Sequence, residues 1–308
     1  MLRYVAQRLI QGVVVIFLVS VTTFMILQLA PGNPIDVLVG EARISEEQRQ
    51  LIADKWGLND PWYVQYFTWL GNVFTGDLGK SVVQTGTPVR EMLLDAAPAT
   101  LRLNLLAFLA STLIAVPIGV VAAVKRHSAF DYGSMVGATL GIAVPNYWIG
   151  LMLIVLFSLT LGWLPPYGSN GWRAYILPVG VLAFQEMAIL ARMSRGAAIE
   201  VLHQDYVTTA RAKGLHESVV ISRHVVRNTL LPVVTIMGYR LAFILSGTII
   251  IETVFAWPGI GQLFFNSVIR LDYQVVQAVV LLLSTLVVVG NLVTDIAYAF
   301  IDPRIRIR

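Results

Sequence analysis

The sequence predicts an all-α, polytopic membrane protein with six transmembrane helices, and two observations predict it. Hydrophobic residues make up 56% of the 308 and charged residues only 13%, against about 25% charged in an ordinary soluble domain. The apolar residues are also gathered into stretches of roughly 20, long enough to cross a hydrocarbon core of about 30 Å as a helix. Cysteine is absent, which excludes disulfides, thiolate metal sites and cysteine nucleophiles. The net charge of +4 is modest. Its Lys and Arg lie mostly between apolar stretches and read as topology signals, so the expected partner is the lipid bilayer and not nucleic acid.

Taken in order, the first span is Leu9 to Ala30. Arg3 and Arg8 before it suggest a signal peptide, but the apolar run is too long and no small-residue cleavage site follows, so a permanent helix is expected. Residues 1–30 thus form a cytoplasmic tail and the first span. Residues 31–97 are the one place with room for a folded extracytoplasmic insert. Within them, Ser45-Glu46-Glu47-Gln48 opens a stretch with Ile44, Leu51 and Ile52 at near-helical spacing, ended by Gly57, Asn59 and Pro61. One short surface helix is expected there. Residues 98–301 carry five further spans, at Leu101 to Val124, Met135 to Leu161, Tyr175 to Met193, Leu230 to Ile251 and Val275 to Ile301, with a cytoplasmic loop at 192–228; residues 302–308 form a tail. Pro117, Pro145 and Pro178 interrupt their spans and permit kinks, which suits a protein that alternates between facing out and facing in but also occurs in static bundles.

Orientation follows from Lys and Arg in the short connections. With the amino terminus inside, the cytoplasmic pieces carry Lys125, Arg126, Arg192, Arg195, Arg211, Lys213, Arg223 and Arg227 among others, whereas the short outer connections carry Arg173 and Arg270. Both termini are therefore expected in the cytoplasm. Trp56, Trp62, Trp69, Trp163, Trp172 and Trp257 fall in outer segments or at outer helix ends, where an amphipathic ring prefers the interface; Trp148 lies within a span.

The segment from Arg192 to Asn228 is the most informative. Tyr206 to Lys213 is a short amphipathic stretch with basic residues, Gly214 is a helix-ending or turn residue, and Val219 to Val226 starts a second helix. Such a helix, turn and helix between two spans would give a soluble partner something to push; a solvated loop whose charges only fix topology is the plainer alternative. The run TARAKGL followed by RHVVRNTLLPV resembles the cytoplasmic EAA-type coupling loop of importer permeases, in the form found in dipeptide and oligopeptide systems. The likeness extends to LAPGNP at Leu29 to Pro34, GDLGKS at Gly76 to Ser81, PATLRLN at Pro98 to Asn104, WPGIGQL at Trp257 to Leu263 and DPRIR at Asp302 to Arg306. Thr208 stands where a glutamate is usual in the general loop, and Arg227 where a proline is often found.

The resemblance implies a type I ABC importer permease, the membrane-spanning subunit of an ATP-driven importer of di- or oligopeptides or a related solute, located in the cell (inner) membrane. It implies as partners a second permease, two nucleotide-binding ATPase subunits and an extracytoplasmic solute-binding protein. ATP-Mg would be bound by the ATPases, with no cofactor and no enzyme activity in this chain. By position, Tyr206, Thr208, Ala210, Arg211, Lys213, Gly214 and Leu215 would make or shape the ATPase contact, the basic residues pairing with acidic rims.

Other features point less sharply. GDLGKS ends like a phosphate-binding loop, but Phe74 stands where the full pattern needs a glycine. His127, His203, His216 and His224 lack metal-site spacing, and no serine sits in a nucleophile elbow. Glu186 and Arg240 lie near the middle of the fourth and fifth spans, where an isolated charge costs about 2.5–3.5 kcal/mol on insertion scales; they form an ion pair or line the solute pathway. Leu263 to Ile269 forms either a short helix on the outer surface or part of an ordinary turn. The alternative functions are an ion-gradient-driven secondary transporter, which calls for intramembrane acids or inverted repeats, a membrane-embedded enzyme and a static anchor.

Overall fold

The computed structural model describes residues 2–29, 45–55, 59–84, 86–242 and 248–301. The chain divides into two compact units, the first of Met1–Thr100, Leu245–Ile249 and Pro258–Arg308, the second of Leu101–Ile244 and Ile250–Trp257.

In the first unit, α1 (Leu2–Leu29) lies along the last helix, Tyr273–Ile301. Helix α2 (Glu46–Lys55) opens on a capping box: Ser45 Oγ accepts the Gln48 N–H and Gln48 Oε1 accepts the Ser45 N–H, at 3.2 and 3.1 Å. A second helix, α3 (Trp62–Phe74), follows Pro61 and buries Tyr66 and Trp69 against Phe24 of α1. The expectation of one short helix in this stretch is thereby corrected. Helix α3 carries an apolar pattern of its own, but it follows Gly57, Asn59 and Pro61 and holds Gly71 inside, all of which read as breaks. The next helix, α4 (Val89–Val124), starts well ahead of the expected Leu101 and runs on into the second unit. Its first turns, Val89, Leu93 and Ala96, pack with Ile260, Val275 and Val279.

In the second unit, α5 (Ala129–Ala143) and α6 (Asn146–Leu153, continued as a π-helix over Ile154–Thr160) meet at 103°. The expected span Met135 to Leu161 is therefore broken where Pro145 was expected to permit a kink, and far more sharply than a kink. Pro145 causes it: a residue before proline is pushed to extended backbone, and Val144 has φ −89° and ψ 128°. Helix α7 (Arg173–Leu202) outruns its expected end at Met193. After it come α8 (Asp205–Ala212), then α9 (Glu217–Val219), which passes through a π-helical stretch (Val220–Val226) into α10 (Arg227–Ala242). The apolar span here is Glu217–Gly238, starting before the expected Leu230, because the second helix expected over Val219 to Val226 runs without a break into the span. Short helix α11 (Ile249–Val254) precedes Trp257, which is fully buried edge-to-face on Tyr175, their centroids 4.5 Å apart. Trp257 and Trp69 are thus packed inside protein and are not interfacial rings.

Helix α12 (Ile260–Ile269) realises the helix expected as one of two readings of this segment, and α13 (Tyr273–Ile301) closes the chain. Among the described residues, five helices are long and apolar enough to cross a membrane, and six spans result when the bent pair is one.

Candidate coupling site

Helix α7 ends at His203, and Gln204 is extended (φ −78°, ψ 145°), which turns the chain into α8. Val207 and Ala210, one helical turn apart, are buried. They join Val220 and Val225 in a core shared with Ala115, Val116 and Val120 of α4 and Leu190, Ala191 and Ala198 of α7. The other face of α8 and its exit are exposed at Tyr206, Thr208, Arg211, Lys213 and Leu215. An apolar seat inward and a mixed aromatic, polar and basic face outward make a platform held on the bundle.

The exit from α8 is a Schellman turn. Gly214 has φ +76°, its N–H bonds to the Arg211 carbonyl at 2.9 Å, and the Leu215 N–H reaches the Ala210 carbonyl at 3.4 Å. Across this turn Arg211 places its guanidinium on Glu217, with Nε to Oε2 at 3.1 Å and Nη2 to Oε1 at 2.7 Å. The hydrogen bonds it donates to Glu217 raise the Arg211 pKa further above its ordinary value, so the cation persists at every working pH. Within this chain Arg211 staples the two helices of its own turn. Ala210 shapes the seat from inside and does not face outward; Lys213 keeps the outward position.

A second arginine fork lies higher on α7. Arg195 Nε and Nη2 meet Asp131 Oδ1 and Oδ2 at 2.5 and 2.8 Å, and Asp131 is 2% exposed. Asp131 also accepts the His127 N–H at 3.0 Å and donates its own N–H to the Ser128 hydroxyl at 3.3 Å, which caps α5. Thus one carboxylate both starts α5 and clasps it to α7. Beside the clasp, α4 approaches α7 so closely that a Cβ on Gly119 would lie 2.5 Å from the Ala191 carbonyl oxygen and 2.9 Å from the Arg195 nitrogen. The sequence reading counted Arg195 only as a topology charge and passed over Asp131. The signal for the latter was the cap pattern Ser128-x-x-Asp131.

The GDLGKS stretch has a structural occupation. Asp77 Oδ1 accepts the Gly79 N–H at 2.9 Å, Ser81 Oγ donates to buried Asp272, and the Val82 and Val83 N–H groups approach the same carboxylate at 3.3 Å. A Cβ on Gly79 would fall 2.6 Å from Gln274 Oε1. Nearby in the same unit, Thr100 Oγ1 of PATLRLN accepts the Ile260 N–H of WPGIGQL at 2.8 Å, so two of the sequence motifs meet. Glu186 is half-buried on α7 and engaged with a partner, while the side chain of Arg240 lies outside the described residues, so their relation is not defined by geometry. Among the described residues no group of three or more His, Asp or Glu is gathered as for a metal ion.

Residues 115–307 match the family described as binding-protein-dependent transport system inner membrane component, and residues 1–104 match the N-terminal region of such membrane components. The chain is 41% identical to the oligopeptide transport system permease protein AppB of Bacillus subtilis (strain 168), with 99% of each chain covered. At the same coverage it is 39% identical to the di/tripeptide transport system permease protein DppB of Pseudomonas aeruginosa (strain UCBPP-PA14) and 40% identical to the glutathione transport system permease protein GsiC of Escherichia coli O6:H1. A solved amino acid ABC transporter with histidines resembles it at a TM-score of 0.48 and 16% identity, over 66% of this chain and 92% of that one.

Proposed function

The chain belongs to the family of binding-protein-dependent transport system inner membrane components, and from that premise we propose how it works. It is a multi-pass permease subunit of an ABC importer, a transport part and not itself an enzyme. Its solute is a di- or oligopeptide or a related small molecule such as glutathione, as the names of its relatives suggest. It pairs with a second permease to form the pathway, receives solute from an extracytoplasmic binding protein, and is driven by two ATPase subunits that hold ATP-Mg. Both termini face the cytoplasm, on the side of the basic α8 turn. Nothing in the relatives supports the ion-gradient carrier.

The observation that carries this reading is the platform of α8, apolar toward the bundle through Val207 and Ala210 and exposed through Tyr206, Thr208, Lys213 and Leu215. An ATPase groove closing on that face would move α8, and the shared core would pass the displacement to α4 and α7. The Asp131–Arg195 clasp would carry it on to α5 and the broken span. GDLGKS supports placing nucleotide elsewhere: its serine already serves a carboxylate, which repels phosphate. Glu186 and Arg240, on neighbouring helices α7 and α10, pair within the bundle or line the pathway.

The test is uptake and ATP hydrolysis by the complete transporter in proteoliposomes, with wild type compared to Tyr206→Asp and Leu215→Asp. Both variants should assemble and bind the solute-loaded binding protein, yet lose most solute-stimulated hydrolysis and uptake. Wild-type uptake by both would sink the coupling role of α8.

A further inference from the structure

We infer that α3 is a membrane-embedded helix, lying in the leaflet that holds the C-terminal half of α1 and presenting Tyr63, Phe67 and Phe74 to lipid acyl chains. The inference rests on α1 being a span, and its first support is depth. Tyr66 of α3 packs edge-on against Phe17 and Phe24 of α1, at centroid separations of 6.3 and 5.4 Å, and its hydroxyl meets Ser20 Oγ at 2.8 Å. Higher up, Gln28 Nε2 donates to Gln65 Oε1 at 2.8 Å. From Phe17 to Gln28 the α1 axis rises about 16 Å at 1.5 Å per residue. That is about half of a 30 Å hydrocarbon core, so the part of α3 that makes these contacts lies beside membrane-buried chain and not above it.

Composition is the second support. The 13 residues of α3 include no Asp, Glu, Lys or Arg. Around its axis the residues sort into three arcs. Tyr66 and Trp69 are buried on α1; Tyr63, Phe67 and Phe74 are 50%, 61% and 83% exposed on the next arc; Thr68 and Asn72 are exposed on a third. An apolar arc beside a polar arc is what a helix needs to rest with one side in hydrocarbon and the other toward headgroups. Left in water, three exposed aromatic rings would leave apolar surface hydrated that lipid would otherwise cover. The polar Asn59 and Asp60 precede the helix, and Tyr and Trp are enriched where chain and headgroup meet. The third support is continuity: the most apolar window of α1 is only 11% buried within the chain, and Leu18 on it is 56% exposed, so apolar surface continues from the aromatic arc of α3 onto α1.

The chain has no cysteine, which gives a clean background for site-directed spin labelling. Nitroxides would be attached at Phe67→Cys and Phe74→Cys in the complete transporter in proteoliposomes, with Leu18→Cys as the lipid reference, Asp60→Cys as the aqueous one, and uptake measured to verify folding. The expected result is that oxygen collides several-fold more often than a water-soluble nickel chelate at Phe67, Phe74 and Leu18, with the order reversed at Asp60. Collisions dominated by nickel at Phe67 and Phe74 would place α3 in water and overturn the inference. Low rates for both reagents would mean that a second permease or binding protein covers the arc, and would overturn it equally. A lipid-like Leu18 in either case would leave the reading of α1 as a span intact.

Discussion

Asp131–Arg195 and Arg211–Glu217 are the same chemical pair, an arginine fork on a carboxylate, set in opposite surroundings. The first joins two helices far apart in sequence, with the Asp131 side chain 3% and the Arg195 side chain 24% exposed; the second bridges one turn, at 41% and 49%. A fork in water adds little stability because solvent and salt screen it. A buried one cannot lose a member without stranding the other. The clasp therefore maintains the architecture, whereas the staple selects the attitude of a turn whose architecture is already set by Gly214 and by the apolar seat.

Three experiments sharpen or break that contrast. Arg195→Ala should have the largest effect. It leaves a buried carboxylate and costs about 3 kcal/mol, the low end of the range for a broken buried pair because Arg195 is partly exposed. Arg195→Lys, which keeps the charge without the fork, should fall between. The measurement is the melting temperature of the detergent-solubilised complex, and an unchanged value for Arg195→Ala would remove the clasp from the account. Gly214→Ala comes next. Nothing lies near a Cβ there, so the loss of about 1–2 kcal/mol comes from the positive φ alone. Gly214→Asn should lose less, because Asn tolerates that conformation, and equal losses by the two variants would argue against a backbone origin. Glu217→Gln should be smallest in stability and visible only in function: an unchanged melting temperature with more ATP hydrolysed per solute imported. A fall as large as that of Arg195→Ala would erase the distinction between the two pairs.

The sequence made legible what depends on local chemistry. Long apolar runs placed the spans, and the basic stretch ending in Gly214 marked α8 and its turn, because a left-handed residue after a short helix is a local requirement. Pro145 was visible as an interruption, but its 103° outcome depends on where α6 packs. Helix α3 escaped because Gly71 and the breaks before Trp62 masked its pattern, while its seat on Phe24 and Ser20 of α1 is a tertiary contact. The polar pairs were illegible for a different reason. Asp131 and Arg195 are 64 positions apart, and Ser81 and Asp272 are 191 apart; only the fold sets such partners side by side. Two of the seven coupling residues also gained a role within the chain once the fold was known, since Ala210 faces the bundle and Arg211 bonds to Glu217.

Helix α4 has 36 residues, which at 1.5 Å each is about 54 Å of continuous helix. A hydrocarbon core of about 30 Å accounts for little more than half of that length, so α4 must either project from the bilayer or cross it obliquely. Along a helix, rotation converts efficiently into translation: a swing of about 10° carries a residue about 27 Å from the pivot through roughly 5 Å, close to the pitch of one helical turn. Within the second unit, a change of about 10° at the Gly119 crossing with α7 therefore shifts the Leu101 end of α4, about 27 Å along the helix, by nearly a whole turn.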